Sequence, residues 1–197
     1  MMDMDLKNYS YEARPPTTIN QCLNDLIAGY ADSDVYLELG KHFMELMEDE
    51  YFLQWPLVRY RYASNLLWGY FCGRSDDDYI SGNRELGLKL LIPMAEAGLA
   101  TAQYELGRYY EMYENNIDLG LEWLIKASKQ ECHRAQKYMK CVWSHSIYRN
   151  ASMNTQKEYL IELARIYKGQ EPEENVKEEL SKLDQRNGEQ KHGKSIS

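Results

Sequence analysis

Cysteine is scarce in this chain of 197 residues: Cys22, Cys72, Cys132 and Cys141 are all there are, and no two form a C-x-x-C pair. That excludes a dense disulfide framework and fits a reducing compartment. Long apolar runs are missing too. No stretch approaches the roughly 18 residues of a membrane helix, and Met1 to Pro16 lacks the apolar core of a signal peptide, so the expected location is cytoplasmic. There is no Ser-His-Asp order, no glycine-rich nucleotide loop and no H-E-x-x-H. The expectation is a protein that is not an enzyme and takes no cofactor. Five prolines and twelve glycines leave long segments unbroken, and 44% hydrophobic residues are enough to bury roughly 70% of the unfolded surface as one ordinary domain.

Charge is unevenly placed. Residues 1–100 hold 16 Asp and Glu against 8 Lys and Arg, and residues 101–197 hold 15 against 15, so the whole net charge of −8 lies in the first half. Phosphate backbones and anionic membranes bind through Lys and Arg, which disfavours nucleic acid and membrane as partners. A basic protein suits the acidic half better.

Apolar residues recur at helical spacing almost throughout. Thr18-Ile19-Asn20-Gln21 has capping-box spacing and announces a first helix; a second is expected from Ser33 or Asp34, and a third with Pro56 in its first turn. Thr155-x-x-Glu158 is another capping box, for a helix running through Tyr167 that Gly169 closes in the left-handed conformation. Pro172, Glu173 and Glu174 open the last helix, with acids at the positive end of its dipole. Pro93 is expected to kink the helix that holds it. The expected layout is a flexible lead over 1–17, one helical domain over 18–185 and a disordered tail over 186–197.

The chain also repeats itself. At an offset of 33, Gly87-Leu88-Lys89-Leu90-Leu91-Ile92 lies over Gly120-Leu121-Glu122-Trp123-Leu124-Ile125, and Ala102-Gln103 over Ala135-Gln136. A small residue, an apolar one at +4 and an aromatic at +8 recur as Ala63, Leu67, Phe71, as Ala102, Leu106, Tyr110, and as Ala135, Met139, Trp143, with a degenerate copy at Val35, Leu39, Phe43. Such spacing describes helical hairpins that bury their apolar faces by stacking on neighbours. The fold class expected is all-α, an α/α superhelix (solenoid) of stacked helix-turn-helix repeats with about eight to ten helices.

Ala102-x-x-x-Leu106-Gly107-x-x-Tyr110, Leu121 to Ser128 and Cys132-His133-x-Ala135-Gln136 resemble the Sel-one-like repeat, a relative of the tetratricopeptide repeat. Leu91 to Gly98 resembles the same family's second helix and glycine turn. The resemblance covers roughly residues 60–145, and residues 33–55 more weakly. Trp68, Glu131 and Lys140 stand where the family prefers glycine, and Glu111 to Asn116 replaces its glycine-rich loop. The resemblance implies a surface that recognises another protein. By analogy with tetratricopeptide hairpins, Tyr62, Asn65, Thr101, Tyr104, Arg108, Glu111, Arg134, Lys137 and Ser144 face a concave partner-binding groove. Tyr62 and Tyr104, off the repeat stripe, are expected to supply rigid contact area.

Two clusters compete with that groove. Cys132, His133, Cys141 and His145 come nearest to a metal set, with the last pair at i, i+4, but lone cysteines more often pack, and no metal is assigned. Asp76-Asp77-Asp78 lacks the spacing of a calcium loop and reads as a solvated connection. The function expected is a non-enzymatic protein-interaction module. Its most concrete form is a bacterial immunity or inhibitor protein that neutralises a toxic effector, such as a basic toxin domain; its alternative is an adaptor or regulatory scaffold for several partners.

Overall fold

The computed structural model describes the backbone of residues 55–71, 79–80 and 82–193, with side chains over 55–69 and 82–186. The lead over 1–17, the capping box at Thr18, the helix expected from Ser33 or Asp34 and the Asp76 to Asp78 run lie outside these residues. The described chain is helical apart from one short antiparallel strand pair. It divides into two compact units, Met1–Ala97 and Gly98–Ser197, where the sequence suggested one domain over 18–185.

In the first unit, α1 spans Pro56–Trp68, with Pro56 in the first turn, where its missing N–H is one the helix leaves unbonded anyway. Gly69, at φ 72°, ends the helix. Strands β1 (Tyr70–Phe71) and β2 (Tyr79–Ile80) follow, paired Tyr70 with Ile80 and Phe71 with Tyr79. Phe71 therefore does not continue the helical stripe of Ala63 and Leu67, because the glycine turns the chain out of the helix two residues earlier. Helix α2 spans Arg84–Glu96; Asn83 caps it by accepting from the Leu86 N–H at 3.0 Å, and Pro93 lies inside it. Helices α1 and α2 run antiparallel and close together, since a Cβ on Gly87 would meet the Leu67 nitrogen at 2.8 Å and the Ala63 oxygen at 3.0 Å. Ala63, Leu67 and Leu91 are fully buried there.

The second unit carries α3 (Ala100–Met112), α4 (Ile117–Lys129), α5 (His133–Ser144), a 3-10 turn (Ile147–Asn150), α6 (Met153–Ile166) and α7 (Pro172–Gly193). Asn116 caps α4 through the Leu119 N–H, repeating the Asn83 cap at the same offset of 33. Leu99 and Cys132 stand before α3 and α5, again 33 apart and both without a side-chain cap. The repeat is thus one of turns and caps as well as of apolar residues. Ala102, Leu106, Ala135 and Met139 are fully buried. Behind them Tyr148 stacks on Trp143 and on Tyr159, each at 5.3 Å between ring centres, and the Tyr159 hydroxyl donates to the Met139 carbonyl at 2.5 Å.

Two boundaries differ from the sequence expectation. Ser152, not Thr155, caps α6: its hydroxyl accepts from the Thr155 N–H, so the helix starts one turn earlier and Thr155 lies inside it. The helix still ends beside Tyr167, and Gly169 is left-handed at φ 75°. Helix α7 continues to Gly193, past the tail boundary expected at 186. Glu189, Gln190 and Lys191 are strong helix formers and no proline interrupts them, so polarity alone did not stop the helix.

Candidate partner-binding face

Helices α3 and α5 advance together, and their facing side chains bring four of the groove residues into one cluster. Glu105, one residue before the repeat Leu106, is buried with only 2% of its side chain exposed. Its carboxylate lies 3.6 Å from Arg108 and 3.4 Å from Arg134, so the acid is compensated from both helices. A buried carboxylate requires such partners, because leaving water is costly for a charge. The two guanidiniums in turn sit over aromatic rings. Arg134 lies 4.8 Å from the centre of Tyr104, and Arg108 lies 5.6 Å from both Tyr104 and Tyr138. Each contact of this kind is worth about 0.5–1 kcal/mol and holds a long side chain in place.

The two rings meet edge to face at 6.2 Å. The Tyr138 hydroxyl donates to Glu111 at 2.5 Å, which joins the far end of α3 to the middle of α5. Burial, then the Glu111 hydrogen bond and charge, hold the Tyr138 phenol well above its ordinary pKa. The outer layer is basic: the Arg134 side chain is 53% exposed and Lys137 is exposed. Helix α5 contains Arg134, Lys137 and Lys140 and no Asp or Glu.

Tyr104, Arg108, Glu111 and Arg134 are therefore brought together, with Lys137 at their edge. Thr101 is half-buried in the first turn of α3. Ser144 lies at the other end of α5, donating to the Cys141 carbonyl at 2.8 Å. Tyr62 and Asn65 belong to α1 in the first unit. Tyr62 and Tyr104 are each only 8% exposed, which corrects the expectation that they present open contact area: Tyr104 is a floor covered by two guanidiniums, and Tyr62 is part of the α1 core. Sequence reasoning missed Glu105 and Tyr138. Both occupy the position just before the repeat apolar residue, and Glu105 has i, i+3 spacing to Arg108, the one signal in the sequence that points to it.

The Cys132, His133, Cys141 and His145 set does not converge. Cys141 Sγ is 3.7 Å from His145 Nδ1, but that nitrogen lies 2.9 Å from the Cys141 carbonyl oxygen, and Cys132 stands at the other end of α5. Among the described residues no three His, Cys, Asp or Glu side chains form a metal-binding group, and no helix is long and apolar enough to cross a membrane. No family model, no curated protein and no solved structure matches this chain.

Proposed function

We propose that this chain is a protein-interaction module built from stacked helical hairpins in the manner of Sel-one-like repeats, and that it holds its partner on the α3–α5 face. The observation that carries this reading is the pair Arg108 and Arg134, fixed over Tyr104 and Tyr138 and anchored on buried Glu105. Preset arginines on aromatic supports lose little freedom on binding, and Arg and Tyr are enriched among residues that dominate interface energy. The recurrence of caps and turns every 33 residues supports the repeat architecture.

The test is capture of a partner from the native cell by the tagged chain, compared with Tyr104→Ala/Arg108→Ala of unchanged helical content. Loss of the partner from the variant supports the reading, and undiminished capture removes the α3–α5 face from it. One stoichiometric partner that is toxic when expressed alone marks an immunity protein; several weakly held partners mark an adaptor.

A further inference from the structure

Net charge and local charge point to opposite partners. Residues 1–54 hold 11 Asp and Glu against 3 Lys and Arg, which accounts for the whole net charge of −8, and residues 55–197 balance. The basic partner suggested by the net charge is therefore a property of the first 54 residues, not of the α3–α5 face. The acids of α3 and of the residues just after it are engaged by neighbours, exposed Glu114 included, which accepts the Tyr109 hydroxyl at 2.5 Å. Glu105 is covered by Arg108 and Arg134, and Glu111 accepts the Tyr138 hydroxyl, while Arg134 and Lys137 reach solvent.

We infer that the segment docked on this face is an acidic peptide stretch of the partner protein, with carboxylates against Arg134 and Lys137. The inference rests on the interaction-module reading and names the chemistry of its ligand. Charge complementarity selects the acid, since opposite charges speed encounter and like charges are rejected. Apolar residues of the same segment have a place to go. Met112 and Tyr113, at the end of α3, are 53% and 47% exposed, and Met112 Sδ is 4.0 Å from Arg108. A mixed surface of this kind suits an acidic, partly apolar peptide. A nucleic acid, bound mainly through many Lys and Arg contacts to phosphate, would gain few cations here for counterion release.

Fluorescence anisotropy on the full chain tests this. The probes are labelled peptides of about twelve residues repeating Glu-Glu-Leu, Gln-Gln-Leu or Lys-Lys-Leu, and an oligo-dT of similar length. The acidic peptide should bind most tightly and weaken as salt is raised. Arg134→Gln/Lys137→Glu should weaken it roughly tenfold or more, and Lys177→Glu/Lys182→Glu, whose lysines pair with acids of α7 itself, by less than about twofold. Lys137→Glu alone leaves the Arg134–Glu105 pair in place and should still weaken binding severalfold, which guards against a misfolded double variant. Tighter binding of the neutral or basic peptide, tighter binding of oligo-dT, insensitivity to both α5 variants, or no acidic-peptide binding up to about 1 mM overturns the acidic ligand. The interaction-module reading would then still stand or fall on partner capture by the wild-type chain, and its α3–α5 face on capture by Tyr104→Ala/Arg108→Ala.

Discussion

Gly98 and Glu131 hold the same place in two successive turns, 33 residues apart, and both are left-handed, with φ of 98° and 60°. Glycine adopts this conformation freely, whereas a residue with a Cβ is strained in it. The strained glutamate has acquired contacts the glycine cannot make. Its carboxylate accepts from Arg165 at 2.7 Å and from Gln136 at 3.0 Å.

Different outcomes are expected at the two positions. A Cβ on Gly98 would meet nothing within 4 Å, so Gly98→Ala tests backbone strain alone and should cost about 1 kcal/mol. Glu131→Gly relieves strain and gives up one exposed ion pair, to Arg165, that salt screens, and one hydrogen bond from the neutral Gln136 amide. It should melt above the wild type at high salt, with the advantage shrinking at low salt. A lower melting temperature at high salt would show that the carboxylate contacts outweigh the backbone.

A second expectation concerns alkaline pH. The native Tyr138 phenol titrates above its ordinary value because burial and then Glu111 disfavour its anion. A raised native pKa gives stability that is complete below the unfolded value near 10 and is lost as pH rises from there toward the native value. Tyr138→Phe removes the hydroxyl and should cost about 1 kcal/mol at neutral pH. The gap to the wild type should hold up to a pH of about 9 and close between about 10 and 11, as measured by urea unfolding. A gap independent of pH would show that the phenol is not held in its neutral form.

Much of this organisation could be read from the residues, and the failures share a cause. Pro56, Gly169, Pro172 and the buried alternation of Ala102 with Leu106 and of Ala135 with Met139 follow from local rules, because caps, breakers and helical spacing act within a turn or two. Ser152 was overlooked because Thr155-x-x-Glu158 satisfies the same local rule equally well; the competing cap is fixed from a distance, with Asp118 at the start of α4 accepting the Ser152 N–H at 3.0 Å. Glu105 and Tyr138 were missed for a related reason. Their value lies in contacts between α3 and α5, at sequence separations of about thirty, which one helix's pattern does not contain.

Another tie between distant helices is the buried carboxylate of Glu162, 4% exposed, which accepts the Ser128 hydroxyl at 2.6 Å and two forks of Arg165. Arg165 also donates to the Ser128 carbonyl at 3.0 Å, so α4 and α6 are joined through one guanidinium. Arg165→Ala leaves the acid buried with only the serine. Loss of a buried partner typically costs 3–5 kcal/mol, but the Arg165 side chain is 41% exposed and water replaces part of it, so about 2 kcal/mol is expected. Adding Glu162→Gln should recover part of that loss in a chemical unfolding series. Strictly additive costs would mean that the two residues do not act as a pair.

The close approach of α3 and α4 gives the sharpest contest between two effects. Gly120 lies inside a helix, where alanine is favoured by about 1 kcal/mol on propensity alone. Its Cβ would sit 2.9 Å from the Gly107 carbonyl oxygen and 3.0 Å from the Glu111 nitrogen, both backbone atoms of α3 that no rotamer change can move. The helices must therefore separate, opening the packing around the fully buried Leu106 and Leu124, and overpacking of this kind costs about 1–3 kcal/mol before the loosened contacts are counted. Gly120→Ala should lose about 2 kcal/mol net in urea unfolding, with helical content unchanged. Because Glu111 is one of the atoms pushed, the Tyr138–Glu111 hydrogen bond should loosen with it and the Tyr138 phenol should ionise at lower pH than in the wild type. A stabilised Gly120→Ala would mean that α3 and α4 stand further apart than these distances and that propensity decides the position.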